Sequence, residues 1–395
     1  MRLPSRTELS IEQEKVYTDA PLTGTVFITG PPGTGKTVLA VYRGMLLKKQ
    51  NVSFKLVMYN KVLNMFTHKV MLTEELEDSI TTWHSWVYKW WQEANKGSKC
   101  WKIPEISSFQ PDFDQALALM LTDKIVSPEK LGWGHLIIDE GQDFPAPFYR
   151  LARIIIADKR FQGEGLPSIT VLADENQRLN ENQNSTIPEI SNALGVKNTW
   201  TLTENFRNTL EVAKFASSFY VGNRSALPRL PESRRGPKPV LQSFLTINDE
   251  ALHVMKYARN YDDQDIAIFL PTVKLINDFY QLLEAECVKS NIRLQAYASR
   301  GRFKDDKSLK FGVGGSITIL TDKSCKGLEF DAVFIPQLNL YDAQGVDESF
   351  AKMKFYVMSS RARKSLFLSY SDCLTPPDIL KAFPVEESGL LEWRI

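Results

Sequence analysis

The chain has 395 residues, 43% apolar and 24% charged, and its 48 basic and 47 acidic side chains leave a net charge of +1. These values suit two to three globular domains and exclude both a disordered chain and a uniformly basic surface. Four cysteines with no C-x-x-C pair and four scattered histidines argue against a structural metal. The lack of a signal peptide or of an apolar run long enough to span a bilayer points to a cytoplasmic protein with no membrane association.

In chain order, Thr25–Thr29 (TVFIT) predicts a buried strand, followed by a Gly/Pro-rich turn and a helix over Lys36–Lys49. Strand, loop and helix in that order open a parallel α/β sheet. Further buried strands are predicted at Ser53–Met58, His135–Asp139 and Ile169–Ala173, each ending in a polar loop. In open α/β sheets such ends converge on the ligand crevice. Between them, Trp83, Trp86, Trp90 and Trp91 fall on one helical face in a segment with little strand pattern. The second half repeats the plan. Strands are expected at Asp265–Leu270, Ser316–Thr321, Ala332–Pro336 and Ser365–Tyr370, and helices at Thr272–Lys289 and Asp347–Met358. Leu227–Pro239 holds four prolines and is neither helix nor central strand.

Gly30-Pro31-Pro32-Gly33-Thr34-Gly35-Lys36-Thr37 fits the P-loop pattern in full. Its glycines let successive backbone N–H groups face phosphates, and the following helix adds its positive end. Lys36 then reaches the β- and γ-phosphates of ATP, and the Thr37 hydroxyl holds Mg2+. Leu136–Glu140 is an apolar strand ending in two carboxylates. A Mg-nucleotide site uses such a pair, with Asp139 in the metal shell and Glu140 activating the attacking water.

Asp139-Glu140-Gly141-Gln142-Asp143 resembles the Asp-Glu-x-Gln-Asp hallmark of UvrD/Rep-like superfamily 1 DNA helicases. Further segments agree in the family's order, and together they cover nearly the whole chain. Leu9–Val16 resembles the adenine-reading segment, with Gln13 as its glutamine. Asn60-Lys61 and Thr82-Trp83-His84-Ser85 resemble segments that touch the nucleic acid. Leu172–Gln177 resembles the motif whose glutamine, here Gln177, senses the γ-phosphate. Thr203–Arg207 resembles the Asn-Tyr-Arg motif, in which the ring (Phe206) stacks on the base and the arginine (Arg207) reaches the γ-phosphate. Thr321–Phe330 resembles the Lys-Gly-Leu-Glu-Phe motif, with Gly327 beside the nucleotide and Glu329 on the ribose. Tyr356–Arg363 resembles the last motif and makes Arg361 its arginine finger.

The resemblance implies an α/β protein of two RecA-like P-loop domains with parallel sheets, residues 1–198 and 199–395. It places the nucleotide at the interdomain cleft and implies a small helical Trp-rich insertion near residues 86–132. Catalysis is expected from Lys36, Glu140, Gln177, Arg207 and Arg361. Asn60, Thr82, Trp83, His84 and Ser85 are expected on single-stranded DNA, with RNA an open alternative. Competing readings remain: core packing for Trp83 and His84, a solvated helix surface for Gln13, and an ordinary surface charge for Arg363.

The chain also departs from the family. About 55 residues separate His84 from Asp139, and about 117 separate Asn205 from Asp322, leaving no room for the usual large second insertion. After Gln177 the family's aromatic stacking position is replaced by Arg178-Leu179-Asn180. Translocation, or a role that depends on a partner, is therefore favoured over autonomous unwinding. The expected activity is an ATP-dependent helicase or translocase, 3′-to-5′ by analogy. The alternative is a nucleic-acid-sensing ATPase subunit of a repair or antiviral defence assembly, with a nuclease or effector partner docked on an exposed tryptophan-rich surface.

Overall fold

The computed structural model describes residues 4–58, 76–122, 124–163, 165–174, 185–221, 227–304, 309–341 and 348–394. The chain divides into two compact units, one of Leu3–Pro31 with Gly35–Thr203, the other of Pro32–Thr34 with Glu204–Ile395. No helix among the described residues is long and apolar enough to cross a membrane.

The first unit runs α1 (Ile11–Asp19), β1 (Thr25–Thr29), α2 (Lys36–Lys49), β2 (Phe54–Met58), β3 (Ile80–Thr82), α3 (Trp83–Ala94), β4 (Glu105–Ser107), β5 (Gln110–Pro111), α4 (Phe113–Leu121), β6 (His135–Ile138), α5 (Ala146–Ala157), β7 (Ser168–Ala173), α6 (Ile187–Leu194) and β8 (Trp200–Thr201). Its six-stranded sheet has the order β3-β2-β6-β7-β1-β8, and every neighbouring pair is parallel. The central strands β6 and β7 are buried at every position, because a parallel sheet covered on both faces leaves no wet side. Parallel strands all end on one edge of the sheet. The loops after β1, β6 and β7, three adjacent strands, therefore lie side by side.

Local chemistry sets the helix ends. Gly35, at φ +82°, turns the chain from the phosphate loop into α2, a conformation that costs glycine little. Lys48 and Lys49 close the helix at its negative end. Ser10 caps α1 by accepting from Gln13 N, while Ser10 N donates to Gln13 Oε1.

The insertion differs from its expected all-helical form, since a short antiparallel hairpin, β4–β5, stands between α3 and α4. Its tryptophans do not face solvent either. Trp83, Trp86, Trp90 and Trp91 are buried with Phe113, Phe144 and Phe148 in one apolar cluster. Burying each such ring contributes roughly 1.5–3 kcal/mol, so the stripe on α3 is the adhesive that holds the insertion to the sheet. The expectation of an exposed tryptophan docking surface is corrected accordingly. Of the five tryptophans in the segment, only Trp101 is exposed.

The second unit runs α7 (Leu210–Ser218), β9 (Val240–Ser243), α8 (Ile247–Asn260), β10 (Asp265–Leu270), α9 (Val273–Lys289), β11 (Arg293–Tyr297), β12 (Ser316–Thr321), β13 (Phe330–Ile335), α10 (Glu348–Ser359), β14 (Ala362–Tyr370) and β15 (Glu392–Arg394). Its seven-stranded sheet, β11-β12-β10-β13-β14-β9-β15, is again parallel throughout. Two parallel α/β units of this kind are RecA-like. Residues 227–239 form no helix and no strand, as their prolines require.

Candidate nucleotide site

Gly33 and Gly35 of the phosphate loop both take left-handed backbone, at φ +84° and +82°. A Cβ on Gly35 would lie 2.3 Å from Gln13 Nε2 and would displace that amide, and the φ of +82° would strain any side chain there as well. The same contact puts Gln13, which is buried, against the loop. Lys36 is also buried. Its Nζ donates to Gly30 O at 2.6 Å and Pro31 O at 3.0 Å, and it pairs with Asp174 Oδ2 at 3.3 Å. The cation is thus held directly over the loop, on acceptors that an incoming phosphate can replace. Pro32 and Thr34 flank Gly33 at the tip, which clusters with the second unit. There Gly33 O accepts from Phe206 N at 2.9 Å.

The carboxylates after β6 meet this loop from the side. Thr37 Oγ1 donates to Asp139 Oδ2 at 2.7 Å. Burial, and then the adjacent Glu140 charge, push the Asp139 carboxyl well above the usual carboxylate range, against the opposing pull of Thr37 and Lys36. Glu140 sits at φ +56°, a left-handed conformation that few non-glycine residues adopt. Its Oε2 accepts from Gln142 Nε2 at 2.6 Å, and Gln142 Oε1 accepts from Asp174 N at 2.9 Å. The fully buried Gln142 therefore bridges the loop after β6 to the loop after β7. Sequence reading assigned Gln142 no role, although its place two residues after Glu140 in the Asp-Glu-x-Gln-Asp motif is the signal that finds it. Gln177 and Asn60 lie outside the described residues.

In the second unit the arginines gather on one carboxylate. Arg207 Nε donates to Glu329 Oε2 at 3.1 Å, and Arg363 Nη1 lies 3.8 Å from Glu329 Oε1. Arg363 also pairs with Asp331 at 2.9 Å, so it is part of this network and not a solvated surface charge. Burial alone would raise the Glu329 carboxyl, yet Arg207 and Arg363 hold it below its ordinary value. Glu329 and Arg361 immediately precede the paired strands β13 and β14, which register Phe330 against Ala362. Gly327 makes the turn into this segment at φ +79°. Arg361 is 0% exposed, with Nε donating to Val357 O and Nη1 to Leu328 O. Asn208, unnoticed in the sequence, ties the Arg207 segment to the start of β14 by donating to Ser360 O and Ala362 O. Phe206, in contrast, is 40% exposed.

Comparison with known proteins bears on both units. A family model described as an AAA domain matches residues 13–183, and one described as the UvrD-like helicase C-terminal domain matches residues 302–372. The chain belongs to the UvrD-like helicase family. No curated protein matches it. Among solved structures, the C-terminal domain of a possible DNA helicase from Lactobacillus plantarum is 18% identical, with 48% of this chain and 98% of that one covered at a TM-score of 0.34. Membership in the UvrD-like family makes the chain an ATP-hydrolysing motor of the helicase and translocase class.

Each unit of this UvrD-like chain, taken by itself, carries one observation that bears on a magnesium nucleotide. The buried Asp139–Glu140 pair concentrates negative charge that a divalent cation would relieve. Arg207 Nη1 and Arg363 Nε are buried without a hydrogen-bond partner among the described residues, and an anionic ligand would supply the missing acceptor.

The residues expected on nucleic acid divide. Thr82 and His84 are partly exposed and Ser85 is exposed, at the junction of β3 and α3. Trp83, one of the residues expected on the strand, is corrected: it is 2% exposed and enclosed by Phe113, Phe144 and Phe148. A ring covered by its own core has no face left for a base.

Proposed function

We propose that this UvrD-like chain is an ATP-dependent translocase on single-stranded DNA, moving along the strand 3′ to 5′ and powered by MgATP. The observation that carries the reading is the set of contacts around Lys36, Thr37, Asp139, Glu140 and Gln142. A lysine over a glycine loop, a hydroxyl bonded to a metal-binding carboxylate and a second carboxylate oriented by an amide make up the apparatus for γ-phosphoryl transfer to water. Gly30–Thr37 cradles the phosphates, Thr37 and Asp139 hold Mg2+, and Glu140 activates the water. Gln13 reads the base and Glu329 the ribose. Arg207 and Arg361 stabilise the charge that builds on the transferred group, and Gln177 senses its loss. Thr82, His84 and Ser85, with Asn60, contact the strand backbone.

The reading is tested by measuring ATP turnover with and without single-stranded DNA and single-stranded RNA at fixed salt. Strong stimulation by DNA supports it, and a flat response to both polymers overturns it. Strand displacement on duplexes tailed at one end or the other then gives the direction of movement.

A further inference from the structure

We propose that Phe109, at the tip of the β4–β5 hairpin, is the ring on which the first unit stacks a base of the single strand. The proposal rests on the single-strand reading above and supplies the stacking surface that Trp83 cannot.

Ser107 pairs with Gln110, so Ser108 and Phe109 form the whole turn of the hairpin. Such two-residue turns put backbone in the left-handed region, where asparagine and glycine are usual. Phe109 occupies that position at φ +61° and is 71% exposed. A bulky residue in this conformation, with its ring in water, gives the fold nothing on either count. Ile106, on the same hairpin, is exposed as well.

The tip is held firmly. Phe109 N donates to Glu105 Oε1 at 3.2 Å, and the same carboxylate accepts from the Tyr88 hydroxyl. Ser107 Oγ donates to Gln110 Oε1 at 2.9 Å. Tyr88 lies one turn along α3 from His84. The hairpin tip is thereby tied to α3, the helix that opens at Trp83 beside Thr82, His84 and Ser85, the segment assigned to the strand backbone. A ring held at a set distance from a phosphate-contacting segment suits a base, because the base hangs from the same backbone.

Charge agrees with this occupant. Residues 95–111 carry Lys96, Lys99 and Lys102, all exposed, against the single carboxylate of Glu105, which is engaged at the tip. Lys102 also lies over the exposed Trp101 ring, 4.9 Å from its centroid. Lysines interleaved with exposed rings match a polyanion of stacked bases.

The experiment uses the full chain and a single-stranded thymidine oligonucleotide carrying one 2-aminopurine, whose fluorescence is quenched on stacking. Phe109→Gly removes the ring while suiting the left-handed backbone, so its thermal melting serves as the folding control. Phe109→Gly and Phe109→Ala are expected to weaken binding about 5- to 100-fold and to abolish the position-dependent quench, and Phe109→Tyr to restore both. Equal affinity and an equal quench in Phe109→Gly overturn the proposal while leaving the single-strand reading in place. Failure of the unaltered chain to bind the oligonucleotide overturns the single-strand reading itself, and this inference with it.

Discussion

The Thr37 hydroxyl donates to the Asp139 carboxylate at 2.7 Å, across 102 positions of sequence. The two groups proposed to hold Mg2+ are thus already joined. Asp139→Asn is expected to lower ATP turnover by about 10²-fold or more and to raise the magnesium needed for half-maximal rate. Thr37→Val should move both in the same direction but less. An unchanged magnesium titration in Asp139→Asn would remove these residues from the metal site.

Gln142 acts on chemistry through Glu140 and Asp174, both of which it bonds. Gln142→Leu keeps the volume and removes the amide. Groups that orient a metal or catalytic ligand typically contribute 10- to 100-fold, so single-turnover hydrolysis should slow by about that factor. ATP affinity should hold within a few-fold, because the amide touches neither phosphate loop nor base. A variant that hydrolyses ATP at the normal rate would assign Gln142 to packing alone.

Arg207 and Arg361 are each expected to matter to both catalysis and stability. Either alanine variant should bind ATP and lose about 10³–10⁵ of its hydrolysis rate. Arg361 also satisfies the carbonyls of Val357 and Leu328 within its own unit. Arg361→Ala should therefore melt several degrees lower, at about 2–4 °C per kcal/mol lost. Arg207→Ala should melt lower as well, because it leaves the buried Glu329 carboxylate with Arg363 alone. Full turnover in Arg361→Ala would exclude it as a transition-state arginine.

Trp83→Ala is expected to destabilise the first unit by about 3–5 kcal/mol, the cost of emptying a large aromatic site in a packed core. Denaturant unfolding measures this directly. If the variant instead keeps its stability and loses strand affinity, the ring faces nucleic acid after all.

Acid should weaken the second unit through Glu329 and Asp331. Burial would raise both carboxyls, but Arg207 and Arg363 for the first, and Arg363 and Lys364 for the second, keep both below their ordinary values of 4.5 and 3.8. A carboxyl lowered on folding adds stability that is fully present above its unfolded value and is lost as pH falls through the folded one. Stability should therefore fall with pH below about 4.5, and less steeply in Glu329→Gln. A slope in Glu329→Gln as steep as in the unaltered chain would show that the pair is not the cause.

Much of the architecture was readable in the sequence because it is written in local terms. Thr25–Thr29, Asp265–Leu270 and Ser316–Thr321 are largely apolar runs, and each is a strand with those bounds. Lys36–Lys49 is a helix as expected, fixed by the glycine before it and the lysines at its end. Strands such as Arg293–Tyr297 and Glu392–Arg394 were missed. They lie at the edges of the second sheet, where one side is wet and the hydrophobic run is diluted.

The chain order of the phosphate loop, the paired carboxylates and the arginine motifs was fixed by the sequence alone, since such chemistry requires given residue types at given spacings. The direction in which each side chain faces was decided only by tertiary structure. Trp83 lies between two nucleic-acid candidates in sequence, yet three phenylalanines from elsewhere in the chain enclose it. Phe109 lies in a stretch without any motif, yet a hairpin tied through Glu105 to Tyr88 of α3 puts its ring in solvent near those candidates. Burial depends on which distant segments arrive to cover a side chain, and no local pattern in the sequence records their arrival.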